Sequence, residues 1–233
     1  MPPPVRIPSL PRLVAEGVLD ADLAALAWLL LEDGVPVHVA GTDGESRQEL
    51  LDGLVASLPA GRRPDRAAAA AEGRLVRVAG TLAISTPTGL LRAALSGTTG
   101  RSGLAAAIAG ADLAEVLAVF RGQGLSDDEI SFLGVVLVLG PAAGPRDGMR
   151  GPGGCVVAAH YLRPVARDAG GHVQRLGPAV LATWDAERGA YDHFEWGIYP
   201  ELAARTGRRA GDLEGEHRAR AQRLRPDVSA GPA

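Results

Sequence analysis

The residues whose types and spacing come closest to doing chemistry are Gly41, Thr42, Asp43, Gly44, Glu45, Ser46, Arg47 and Gln48. An apolar run at Val35, Val37 and Val39 leads into them, and a helical pattern with Leu50, Leu51, Leu54, Val55 and Leu58 on one face follows. Strand, Gly-turn and helix is the layout of a phosphate-binding loop. There, backbone N–H groups cradle the phosphates, a lysine reaches them and a hydroxyl holds magnesium. The loop requires Gly, four free positions, then Gly, Lys and Ser or Thr. With Gly41 opening the frame, the last three positions hold Ser46, Arg47 and Gln48. Two readings follow. The loop retains some phosphate or nucleotide binding, or it is a strand-to-helix turn that needs Gly for its backbone and leaves Arg47 in solvent.

Other chemistry-bearing residues are scattered. His38 lies inside a buried strand pattern and reads as a core histidine. His160, His172 and His193 fall on segments that read as strands, but their spacings match no metal site, so no metal is expected. Asp127, Asp128 and Glu129 resemble paired catalytic acids, yet the first turn of a helix favours negative charge in any case. Cys155 follows Gly153 and Gly154 with no candidate base nearby, and reads as a small strand residue. Trp184, Phe194, Trp196 and Tyr199 crowd one short stretch and are either a small local core or interface anchors. Arg208, Arg209, Arg218, Arg220, Arg223 and Arg225 make a basic C-terminal helix. That helix is either a solvated face paired with Glu214 and Glu216 or a contact for an acidic partner.

The elements that must position these residues are legible in outline. The chain of 233 residues is long enough for a full core. No apolar run reaches the roughly 18–20 residues of a membrane span, so no membrane insertion is expected. The start, MPPPVRIPSLP, lacks the apolar segment of a secretory signal, and a cytoplasmic setting is the expectation. The single cysteine excludes an internal disulfide. A net charge of −3 gives no general attraction to nucleic acid, and none is expected as a partner. All 24 basic residues are Arg. No lysine is therefore available as a phosphate-binding ammonium, a Schiff-base former or a general base.

Pro2, Pro3, Pro4, Pro8 and Pro11 predict an extended arm. A helix over Asp20–Glu32 follows, capped by Asp20 and ended by Gly34. After the Gly-turn helix come a linker and alanine helix over 59–73, strands within 74–84, a short helix over 87–95 and a turn at 98–102. Leu104–Ile108 reads as a buried strand. Asp112 with Glu115, and Ser126 with Glu129, are capping pairs for two further helices. Val135–Leu139 is a continuous apolar run of the kind buried on both faces. Beyond a Gly/Pro-rich loop at 140–154, three segments at 155–165, 172–184 and 191–196 read as antiparallel strands. Helices near 200–205 and 212–224 and a frayed tail close the chain.

The stretch LVAEGVLDADLAALAWLLLEDGVPVHVAG, the segment SGTTGRSGLAAAIAGADLAEVL and the tail CVVAAHYLRPV with HVQRLGPAVLATWD and YDHFEW together carry a resemblance. Over about residues 10–207 they resemble the motor domain of the type II/type IV secretion and pilus-assembly ATPases. The resemblance implies a P-loop, RecA-like sheet with flanking helices, then a small antiparallel β-meander and a C-terminal helix. The departures fall on the catalytic positions. The P-loop glycine, lysine and hydroxyl fall on Ser46, Arg47 and Gln48, acids would sit at Ala79 and Gly80, and the histidine-box imidazole falls on Ala109. The stretch 73–111 contains no acidic residue to serve as the family's Walker B glutamate. Phosphoryl transfer depends on positioned charge, and losing one such group typically costs about 2.7–4 kcal/mol of barrier.

The expected organisation is an arm at 1–19, a degenerate P-loop core at 20–140, a meander subdomain at 141–207 and a basic helix with its tail at 208–233. The expected function is a catalytically inactive relative of these motors, acting as a binding or assembly subunit. Its partner would be the secretion or pilus machinery or a second copy of itself, with no cofactor. One alternative is a divergent NTPase that still takes ATP and magnesium at Gly41–Gln48. Another is a protein-binding domain with no nucleotide.

Overall fold

The computed structural model describes residues 8–60, 80–81, 104–141, 154–167, 170 and 172–225. The expectations for the first seven residues, 61–79, 82–103, the loop at 142–153 and the tail after 225 lie outside them. The chain opens with α1 (Leu10–Ala15), α2 (Ala21–Glu32), β1 (Val37–Gly41), α3 (Gly44–Ala56), β2 (Gly80–Thr81) and β3 (Ala105–Ala109). Next come α4 (Leu113–Gly122), α5 (Asp127–Ile130), β4 (Val135–Gly140), β5 (Cys155–Tyr161), β6 (Ala166–Arg167) and β7 (Val173–Gln174). The described chain ends with β8 (Ala179–Asp185), β9 (Ala190–His193), α6 (Tyr199–Thr206) and α7 (Ala210–Leu224).

The fold is α/β. Its main sheet runs β2-β3-β1-β4-β5-β8-β9. The first four strands are parallel, and β5, β8 and β9 continue antiparallel from β4. The segments expected as a small antiparallel meander pack on the core by continuing its sheet from β4. The segment at 172–184 is two strands. Val173–Gln174 pairs with β6 in a small ribbon, and β8 begins only after Pro178, which has no N–H for a sheet ladder.

Sequence pattern explains where each layer sits. In β1, Val37 and Val39 face a core built with α1, α2, α3 and α7, while Ala40 faces a second core built with α4 and Phe120. Alternation in a strand sends successive side chains to opposite faces, and here both faces are covered. The β4 run does the same, with Val135, Leu137 and Leu139 on one side and Val136 and Val138 on the other. Helix α2 starts where expected because the Asp20 carboxylate accepts from the Leu23 amide at 2.9 Å. Ser126 and Glu129 form a full capping box on α5.

One early expectation changes. Leu10–Ala15, assigned to the extended arm, is a helix with Pro11 in its first turn and Leu10 and Leu13 buried. Proline's missing N–H costs nothing at that position, and its fixed φ suits the helix. Just before β4, Gly134 has φ 72°, and a Cβ there would lie 2.4 Å from the Pro36 carbonyl oxygen. Only glycine lets the chain pass Pro36 and enter the sheet.

Candidate functional site

The chain leaves β1 through α3 toward β2 and β3 on one side, and leaves β3 through α4 and α5 to β4 on the other. In an open α/β sheet, the carboxyl ends of strands where the connections diverge form the crevice in which ligands bind. Here that place is the end of β1 beside the end of β3. Residues Gly41–Gln48 lie there, so topology gives this stretch the position of a site.

The polar groups that a phosphate would use there are engaged within the chain. Only Thr42 and Asp43 separate β1 from α3, and the helix already begins at Gly44. Asp43 is the N-cap, with its carboxylate accepting from the Ser46 amide at 2.7 Å. Hydrogen bonds from the Ser46 hydroxyl and amide hold the Asp43 carboxyl below the usual aspartate range. A negative group thus already sits at the positive end of α3, where a phosphate would bind.

Arg47 does not extend into solvent. It is 8% exposed, and its Nη1 donates to the Gly41 carbonyl, which also accepts from the Gly110 amide at 3.3 Å. A Cβ on Gly41 would meet Leu139 Cβ at 3.0 Å, so the loop lies tight against β4. Gln48 donates to Asp52 at 2.8 Å along the helix, while Thr42, Asp43, Gly44 and Glu45 are exposed. Ala109 ends β3, next to Gly41 in register.

The remaining candidates separate. Asp127 pairs with Arg121 at 3.0 Å, Asp128 pairs with Arg175 at 2.8 Å, and Glu129 closes the capping box. Cys155 is buried at the start of β5. His38 is fully buried and set edge-on to Phe120 at 5.5 Å, and among the described residues neither ring nitrogen finds a partner in good hydrogen-bond geometry. Burial pushes its pKa down to about 4, against the opposing pull of the Leu133 and Val135 backbone. The aromatic group divides. Trp184 packs on Tyr191 with ring centroids 5.1 Å apart, and the Tyr199 hydroxyl lies 2.6 Å from His217 Nδ1. Trp196 is 74% exposed and Phe194 43% exposed, facing outward at the turn between β9 and α6.

A group of ionisable side chains surrounds the start of α2, where sequence spacing gave no signal. His193 Nε2 lies 2.7 Å from Asp20 Oδ2, and its Nδ1 lies 3.4 Å from Glu195 Oε2. Burial alone would lower the His193 pKa, but the two carboxylates prevail and push it up to about 10. With its proton on Nε2, His217 donates to the Asp22 carbonyl at 2.8 Å and accepts from Tyr199 at Nδ1. Arg225 reaches the Asp22 carboxylate at 3.1 Å. The contacts that reach Asp20 and Asp22 join residues 173 to 203 positions apart, and no local motif encodes such a distance.

Among the described residues no helix is long and apolar enough to cross a membrane. Comparison of the chain with protein-family models and with curated proteins finds no match in either case.

Proposed function

We propose that this chain is a non-hydrolysing binding or assembly subunit, a degenerate relative of the secretion and pilus-assembly motor ATPases on a P-loop, RecA-like framework. The parallel core with helices on both faces, followed by antiparallel strands and a C-terminal helix, supports the framework. One observation carries the loss of catalysis. At the ends of β1 and β3, the Asp43 carboxylate already caps the α3 N-terminus and Arg47 is bound back to the Gly41 carbonyl. A nucleotide phosphate entering there would have to displace a carboxylate from the helix end. The cation in the lysine position is turned under the loop. With no acidic residue in 73–111, nothing in that stretch organises magnesium.

The test is a thermal-shift titration of the full chain with ATP and magnesium. The melting temperature is expected to move by less than about 1 °C at millimolar ATP, as for a ligand far below its dissociation constant. A saturable shift that Arg47→Ala abolishes would instead favour the alternative in which Gly41–Gln48 still binds ATP.

The exposed pair Trp196 and Phe194 supports a protein as the thing bound. Large aromatics that anchor an interface typically lose about 2 kcal/mol or more of binding when truncated. Trp196→Ala is expected to melt like the parent chain, because its side chain is mostly in water. It is also expected to lose its specific co-purifying partner, or its self-association in sedimentation, by about thirty-fold. Unchanged partners and an unchanged sedimentation profile would remove this surface from the proposal.

A further inference from the structure

We propose that the open face of β8 and β9, with Phe194 and Trp196 at its end, holds the proline-rich segment Pro2–Pro8 of a second copy of this chain. The inference rests on the reading of Trp196 and Phe194 as a protein-binding surface, and it names the protein and the segment bound. Among the described residues, the exposed large apolar side chains are Val173, Leu176, Val180, Phe194 and Trp196, all between the start of β7 and the turn after β9. Register puts two of them on one side of the sheet. Val180 is opposite His160, whose neighbours Ala159 and Tyr161 face the core shared with α1, α2 and α7. Tyr191 packs on that same core, and His193 reaches Asp20 at the start of α2. Alternation therefore sends Val180 and Phe194 to the other face. The Phe194 amide donates to the Leu181 carbonyl at 2.8 Å, so the two side chains are neighbours across β8 and β9. On that face α4 and α5 pack over β1, β3 and β4, while Val180 and Phe194 stay open to solvent.

Two properties of this surface select its occupant. Exposed aromatic rings take proline rings, and a proline-rich segment is already extended, so docking costs it little conformational freedom. The sequence carries such a segment at Pro2, Pro3, Pro4 and Pro8. Charge agrees. Asp192 is two places from Phe194 on the same face, at a turn where Asp185, Glu187 and Asp192 stand against one arginine, Arg188. Residues 1–15 contain no acid, and Arg6 lies between the prolines. Its charge complements the acidic turn. Pairing this face with the same face of another copy would bring two acidic turns together, which electrostatics opposes.

Reach decides which copy supplies the segment. The α1 helix sits on the opposite side of the sheet from Val180 and Phe194, with Ser9 beside Gly53 of α3. In a polyproline helix Pro2 extends roughly 19 Å beyond Pro8. From α3, which packs on β1 and β3, the way to the far face of β9 is four strand spacings and one layer, roughly 29 Å. The segment falls short on its own copy, so a second copy provides it. Two copies exchanging these segments close a symmetric pair, while Leu10 and Leu13 stay in the core of their own chain.

The experiment is sedimentation equilibrium of the full chain. The parent is expected to dimerise, and Pro2→Ala, Pro3→Ala and Pro4→Ala combined in one variant should weaken the dimer by about tenfold or more. Arg6→Glu should weaken it as well, and Arg6→Lys should not. A synthetic peptide PPPVRIPSLP in excess should dissociate the parent dimer. Mixing the triple-alanine variant with Trp196→Ala should restore association through the one intact segment and the one intact surface. A parent that stays monomeric at about 100 μM overturns the proposal. So does a triple-alanine variant that dimerises as the parent does. If that variant matches the parent while Trp196→Ala still loses its partner, the segment is excluded and the protein-binding surface stands. If Trp196→Ala also changes nothing, both readings fall.

Discussion

Arg220→Ala is expected to destabilise the protein by about 3–5 kcal/mol, the usual result of deleting one partner of a buried ion pair. Arg220 is 6% exposed. Its Nη1 donates to Glu32 at 2.8 Å and its Nε to Glu216 at 2.9 Å, while the guanidinium lies 4.3 Å from the Trp28 ring centroid. One side chain therefore joins α7 to α2 by charge, by hydrogen bonds and by cation–π contact, and all three are lost with alanine. Arg220→Met keeps the stem packed on Trp28 and should recover part of the loss. Arg218, exposed and paired with Glu214 within its own helix, should tolerate alanine to within about 0.5 kcal/mol. Urea unfolding at neutral pH measures all three. A cost below about 1 kcal/mol for Arg220→Ala would mean that the α2–α7 clamp is open in solution. The clamp also answers the question raised by the basic C-terminal helix. Arg208, Arg220 and Arg225 meet Asp33, Glu32 and Asp22, so these three find acidic partners on α2 and its C-cap in the same chain.

His38→Leu is expected to stabilise the protein and to remove part of its acid sensitivity. The imidazole is buried between sheet and α4, and among the described residues both nitrogens lack a partner in good hydrogen-bond geometry. Its folded pKa is about 4, against an ordinary value of 6.5. Between those values the unfolded chain takes up a proton that the folded chain refuses. The stabilisation is therefore complete above about pH 6.5 and is lost as pH falls, levelling off below about 4. Integrated over that window the loss is about 3 kcal/mol. Leucine has a similar volume and no polar atoms to desolvate, so it should gain roughly 1–2 kcal/mol even at neutral pH. Other carboxylates also titrate in acid, and the informative quantity is the difference between the two proteins. Measured by urea unfolding at pH 7, 5.5 and 4, that difference should widen by about 3 kcal/mol toward acid. A difference independent of pH would show that His38 reaches water or a hidden acceptor.

Much of the architecture was legible one element at a time. Asp20 and Gly34 bracketed α2, Ser126 and Glu129 announced α5, and the unbroken apolar run at Val135–Leu139 announced an interior strand. These signals are readable because they act over three or four residues, where backbone geometry alone fixes who meets whom. The α1 helix was missed because a proline-rich start reads as extended unless the buried faces of Leu10 and Leu13 are known. The spacing at Gly41–Gln48 located the crevice but could not say which way its arginine points. In isolation the guanidinium would seek water. Packed beside β4 and β3, it finds the Gly41 carbonyl instead.

The sequence by itself determined the alternation that makes an α/β sandwich, the positions of the caps and the absence of lysine and of acids from 73–111. Only the tertiary structure decided that β5, β8 and β9 extend the parallel sheet, and that His193 meets Asp20 across 173 residues. It also decided that Arg220 turns inward onto α2 and that Trp196 turns outward. Periodicity encodes which face of an element is apolar. Which face of another element it meets is set by competition among all buried surfaces at once, and that competition is resolved only when the chain is packed.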